Sequence, residues 1–291
     1  MVKPTYHSIP VCASNSAMTR LGPESRRSTF SSRRSVLIGA LRYALVLLCL
    51  VSTAAFAQSA EDLVAAGDRE SEARRPAEAI LLYERAIALD PTNYKALCNA
   101  SRDLVDLGEV EKNDKTRNAF YARALDYAKR AVAVNPDDAE GHFHIARSIG
   151  RTALTLGPRD RVKLAGEVRI QALRTLELSP RHAGALHIMG VWNAEVMRLN
   201  GMARMIAKAF LGGKIMDSAS WAEAIRFMDL SVASEPNRLV HRLDQARVYR
   251  DVGRKDDARK AYEAAIAIPL ASANDDVYKR AAEEELRKLG K

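Results

Sequence analysis

After residue 57, apolar positions recur with the period of a helix rather than that of a strand. In residues 77–91, AEAILLYERAIALDP, the residues Leu81, Leu82, Ile87 and Leu89 form an apolar stripe beside the charged Glu84 and Arg85. A similar piece, DDARKAYEAAIAIP, returns at residues 256–269, and intervening segments end at Asn135-Pro136, Ser179-Pro180 and Glu235-Pro236. Proline ends a helix because it lacks the amide hydrogen and its ring collides with the preceding turn. The stretch GRTALTLGPRDRVKLAG predicts a turn at Gly157-Pro158 between two long helices. A final helix is predicted from about Asp275 to Leu289, with Asn274 or Asp275 as its N-cap. Glu283–Glu285 and Lys288 lie on its solvated face, the polar cap that a stacked array needs at its open end.

The recurrence has the spacing of the tetratricopeptide (TPR) unit, about 34 residues folded as two antiparallel helices. With Ala60 as position 1, Gly67, Ala79, Tyr83, Ala86 and Pro91 fall at positions 8, 20, 24, 27 and 32. With Leu239 as position 1, Ala246, Tyr249, Ala258, Tyr262 and Ala265 fall at 8, 11, 20, 24 and 27, with Pro269 one position early. Small residues let paired helices approach, and the aromatic fills the gap between them. Three degenerate repeats lie between, starting near Tyr94, Ala139 and Ala183 and ending at Pro136, Pro180 and Pro236. The chain is therefore expected to be an all-α, TPR-like solenoid of about five repeats with a C-terminal capping helix.

Composition changes this picture mainly at the N-terminus. The whole chain carries +9, but residues 1–57 hold seven Lys and Arg against the single acid Glu24, which leaves only +3 for residues 58–291. The basic character belongs to the leader, and nucleic acid is not expected as a partner. Residues 36–57, VLIGALRYALVLLCLVSTAAFA, follow Arg33-Arg34 and end in small residues, which is the pattern of a secretory signal cleaved near Ala57. The expected division is an export leader at 1–57 and a solenoid at 58–291, in a periplasmic or secreted protein. An uncleaved N-terminal membrane anchor is the alternative, and Met18 is a second candidate start. Of Cys12, Cys49 and Cys98, only Cys98 would remain after cleavage, so the core alone must hold the fold.

The first helix of each repeat lines the concave face of a TPR stack. Its register brings Arg102, Arg147 and Arg247 to one row, with Arg151 and Arg250 one turn from Arg147 and Arg247, and Phe143 and His187 on the floor. Arginine grips carboxylates and phosphates at two points, so an acidic peptide, a C-terminal carboxylate or an anionic phospholipid headgroup would each fit. The same arginines could equally pair with Glu140, Glu195 and Asp244. The Met-rich residues 197–216 read as an adaptable lid, a lipid-touching surface or a core helix. No catalytic, metal or cofactor motif is found: His142 and His144 are two apart and diverge on a helix, and there is no Gly-rich phosphate loop or cysteine pair.

The stretches HIMGVWNAEV, RMIAKAF and WAEAIRFMDLSVASEPN, with DDAEGHFHIARSIG before them, resemble the regulator of microtubule dynamics family across roughly residues 125–286. The resemblance implies a helical TPR-like domain, with links to microtubules and, in some members, to membrane contact sites and phospholipid. The function expected from the sequence is a non-enzymatic adaptor, or scaffold, that holds a peptide or protein in its groove. A lipid-binding or lipid-carrier module is the alternative.

Overall fold

The computed structural model describes residues 58–211 and 217–290. The leader, the Gly212-Gly213 break and Met216 lie outside the described residues. Twelve helices are found among those described: α1 (Ala60–Glu72), α2 (Pro76–Leu89), α3 (Tyr94–Val110), α4 (Asp114–Val134), α5 (Ala139–Leu154), α6 (Pro158–Leu178), α7 (Ala183–Arg198), α8 (Gly201–Leu211), α9 (Trp221–Ser234), α10 (Leu239–Asp251), α11 (Lys255–Ala267) and α12 (Asp275–Leu289). Each of the five repeats begins where the periodicity predicts. The additional length of the second and third repeats is taken up by helices of 17, 21, 16 and 21 residues.

One four-residue turn joins successive repeats, and proline dictates it. Asp90, Asn135, Ser179 and Glu235 each precede a proline, and their φ/ψ angles are −132/94, −139/90, −140/89 and −133/79. The pyrrolidine ring forces the preceding residue out of the helical region, so the second helix stops there. Two residues after each proline stands the cap of the next helix. Asn93 accepts from the Ala96 amide at 3.0 Å and His182 from the Ala185 amide at 3.1 Å. Such a cap is worth about 1 kcal/mol.

Within each repeat the two helices pair antiparallel: α1 with α2, α3 with α4, α5 with α6, α7 with α9, and α10 with α11. The first helices follow one another as an inner layer, α1, α3, α5, α7, α10 and α12. The close approach depends on small residues. A Cβ at Gly67 would lie 2.5 Å from the Tyr83 ring, which is fully buried against it. The 22 additional residues of the fourth repeat contain α8, which packs on α6 of the preceding repeat.

Two expectations about faces are corrected. In α2 the buried set is Ala79, Ile80, Tyr83, Ala86 and Ile87, whereas Leu81 and Leu89 are 64% and 61% exposed. Close packing selects small residues for the inner stripe and leaves two leucines outside. In α12, Glu285 is not solvated. It accepts from Arg247 at 2.6 Å, Arg250 at 2.8 Å and Tyr262 at 2.8 Å. Asn274 stands at the N-cap position but makes no capping bond there, and the Asp275 carboxylate accepts from the Ala271 and Ser272 amides at 2.8 and 2.6 Å.

Candidate functional site

The inner helices surround a cavity of about 780 Å³, drawn mainly from α3, α5, α7 and α10 and completed by Ser272, Asn274 and Tyr278. Helical periodicity explains the lining. Positions three and four apart share a face, so Arg147 and Arg151 on α5 project together, as do His187 and Val191 on α7. Apolar surface comes from Phe143, Leu154, Val168, Ile188, Val191, Trp192 and Met228. Trp192 also packs between helices and donates its indole N–H to the Ala165 carbonyl at 2.9 Å. Among the described lining residues, nine Lys and Arg stand against five carboxylates.

Most of these cations are tethered by carboxylates that lie beside the cavity. Arg147 pairs with Asp106 at 2.5 Å and Glu109 at 3.3 Å, and Arg151 reaches Glu109 at 2.8 Å. Burial pushes the Glu109 carboxyl up, but Arg151 and Arg147, with hydrogen bonds from Tyr278 and Asn274, together hold it below its ordinary value. Asp244 repeats the logic: burial raises it, and the His187 hydrogen bond at 2.8 Å together with Arg247 at 2.9 Å brings it well down. Arg102 is spent on Asp103, Ser71 and Asn99. Glu140 serves histidines instead of arginines, accepting from His182 at 3.0 Å and lying 3.6 Å from His144.

Two lining histidines are held neutral by burial, His144 pushed down to about 3 and His241 to about 2. His241 stacks on His187 with ring centroids 4.7 Å apart. Burial also pushes the Cys98 thiol up to about 12, so this lone cysteine is no ready nucleophile. Among the described residues no cluster of three or more His, Cys, Asp or Glu could hold a metal ion.

Six of the residues singled out from sequence line the cavity: Arg102, Phe143, Arg147, Arg151, His187 and Arg247. Arg250 does not. It turns outward and is held by Asp251 and Glu285. Sequence spacing missed Asp106 on α3, and Asn274 and Tyr278, which reach the cavity from the C-terminal end of the domain. No described side chain of the Met-rich helix α8 lines the cavity; Met202 and Met205 point to solvent, 69% and 66% exposed.

Stacked helical hairpins around an inner cavity define a TPR-like α-solenoid. Residues 56–290 match the family described as Regulator of microtubule dynamics protein 1-3, and the chain belongs to that family. Regulator of microtubule dynamics protein 1 of Mus musculus is 27% identical over 141 residues, 48% of this chain and 45% of that one. Protein 3 of the same organism is 23% identical over 189 residues, 65% of this chain and 39% of its own length. The chain thus spans less than half the length of these relatives. The solved structure of TTC0263, a thermophilic TPR protein of Thermus thermophilus, superposes with a TM-score of 0.56 at 19% identity, covering 78% of this chain and all of that one.

Proposed function

We propose that this chain is a non-enzymatic adaptor whose inner cavity holds a slender, anionic stretch of a partner protein, an acidic segment or a C-terminal carboxylate. The observation that carries this reading is the cavity's composition: an apolar wall combined with an excess of arginine and lysine along one concave volume of about 780 Å³. That volume lies within the usual range for ligand pockets, about 300–1,000 Å³. The similarity covers less than half the length of the relatives that bear the name, and no microtubule role is proposed.

Gly150 supplies the test. It lines the cavity on α5, and a Cβ there would meet only the Val168 methyls, at 4.0 Å. Gly150→Leu therefore projects a bulky side chain into the cavity from a Cβ that meets no backbone, and it removes a glycine from a helix interior. Native pull-down with the full chain should recover a partner that Gly150→Leu loses, with the helical circular-dichroism spectrum unchanged. Recovery of the same partners by the filled variant would sink the proposal.

The apolar wall favours a second reading, in which the occupant is an anionic phospholipid. Extraction and mass spectrometry of protein from its native cells separate the two, since reproducible absence of phospholipid removes the lipid reading. The leader pattern supports action outside the cytoplasm, as a periplasmic, secreted or N-terminally anchored protein. N-terminal sequencing of the native chain decides between cleavage near Ala57 and an anchor.

A further inference from the structure

The last turn of the domain is bonded to its beginning. Asn274 donates to the Asp106 carbonyl at 2.8 Å and to Glu109 at 3.2 Å, and the Tyr278 hydroxyl also donates to Glu109. Arg74, in the turn between α1 and α2, donates to the Ser272 carbonyl at 3.0 Å and pairs with Asp276 at 3.5 Å. We propose that these bonds form a clasp that closes the solenoid around its cavity and opens to admit the occupant. The inference rests on the reading of the cavity as the binding site.

Three observations support a clasp rather than a fixed seam. The first is its chemistry. The apolar cluster that anchors α12 is made with α10 and α11, and the clusters around α3 draw on the first two repeats. Among the described residues the join between them is polar, and polar bonds exchange for bonds to water with little net loss, whereas separating apolar surfaces does not. The second is strain. Arg74 has φ +62, while the equivalent turn of the fifth repeat uses Gly253 at φ +81. Left-handed backbone suits glycine and is unfavourable for arginine. Arginine stands at this turn where its side chain reaches Ser272 and Asp276.

The third observation is the hub. Glu109 holds Tyr278 and Asn274 with the same carboxylate that pairs with Arg147 and Arg151 of the cavity. An anion arriving at those arginines competes with Glu109, so occupancy and the state of the clasp are coupled through one side chain.

The test uses the full chain and 8-anilinonaphthalene-1-sulfonate, an apolar anion, as the probe. Tyr278→Phe combined with Asn274→Ala, and separately Arg74→Gly, should speed hydrogen exchange in α12 while α3–α9 keep their protection. Both should raise the stopped-flow association rate of the dye at least five-fold. Arg74→Gly relieves the left-handed turn, so it decides the matter alone if the double variant fails to fold. Unchanged α12 exchange and association rates within two-fold of wild type would overturn the clasp. Faster α12 exchange without faster dye uptake would overturn its role as a gate. Dye that binds wild type no better than Gly150→Leu would instead remove the cavity reading, and the gate with it.

Discussion

The hairpins α1–α2 and α10–α11 share one plan and differ where they touch the rest of the molecule. Both turns are closed by the same bonds: Arg75 N–H to the Glu70 carbonyl and Arg254 N–H to the Tyr249 carbonyl, each at 2.9 Å. Both bury a tyrosine completely, and both hydroxyls donate to an acid, Tyr83 to Asp68 at 2.9 Å and Tyr262 to Glu285 at 2.8 Å. In each, an arginine approaches the tyrosine oxygen, Arg102 or Arg250. Two of the positions that differ are Gly67 against Ala246 and Arg74 against Gly253. Shared positions thus make the hairpin, and at Arg74 the divergence serves closure of the cavity.

The largest effect should come from the shared tyrosines. Tyr83→Ala and Tyr262→Ala each empty a filled gap between paired helices, and each should lose about 3–5 kcal/mol. Urea denaturation checks this; losses differing by more than a factor of two would show that the two repeats are not energetically equivalent.

Acid should separate the same two repeats. The unfolded chain takes up a proton at His144 and at His241 below about pH 6.5, whereas burial keeps the folded imidazoles neutral down to about 3 and about 2. A depressed histidine contributes stability that is present above 6.5 and lost as pH falls, at about 1.4 kcal/mol per pH unit for each group. The loss steepens below about pH 4, the ordinary carboxylate range, because Glu109, Asp244 and Glu285 are all held low. Repeat five contains His241 and repeat one has no histidine. Hydrogen exchange at pH 5 should therefore show α10–α11 opening while α1–α2 keeps its protection. Equal loosening of both would contradict the assignment of the loss to these imidazoles.

Next comes the small position under the tyrosine. Gly67→Ala drives a Cβ to 2.5 Å from the Tyr83 ring and should cost about 1–3 kcal/mol, since the ring has no room to retreat. Ala246→Gly in the fifth repeat removes a methyl and should cost only about 1 kcal/mol, mostly from backbone freedom. Melting temperatures of the pair check the order, and a smaller loss for Gly67→Ala would reverse it.

Much of this was legible in the chain itself. Proline punctuation and the repeat spacing locate the starts at Tyr94, Ala139, Ala183 and Leu239, because a proline stops a helix within one turn. The groove register also transfers, since three- and four-residue spacing survives in the lengthened helices. What failed did so for physical reasons. Arg250 shares a helix with Arg247, but it lies at the groove's edge, where Asp251 and Glu285 hold its guanidinium away from the cavity. Glu285 sits in an acidic run that reads as solvated, and only the arrival of Arg247 and Arg250 from α10 buries it. The Tyr278–Glu109 bond joins residues 169 apart, and no local pattern announces such a contact.

The turn position tests the comparison with the smallest energies and the clearest signs. Gly253 is at φ +81, where any side chain is strained, so Gly253→Arg should cost about 1–2 kcal/mol with no compensating contact. Arg74→Gly runs the exchange in reverse. It relieves the same strain but removes the bond to the Ser272 carbonyl and the pair with Asp276, an ion pair partly exposed and screened by water. The two terms should nearly cancel, leaving stability within about 1 kcal/mol of wild type. Urea midpoints measured side by side decide the point. A loss above about 2 kcal/mol for Arg74→Gly would mean that ring closure holds the fold together and is not a separable device. A gain close to the loss of Gly253→Arg would mean that the Arg74 contacts add nothing to stability, so that the strained turn at φ +62 is sustained by the remaining backbone bonds alone.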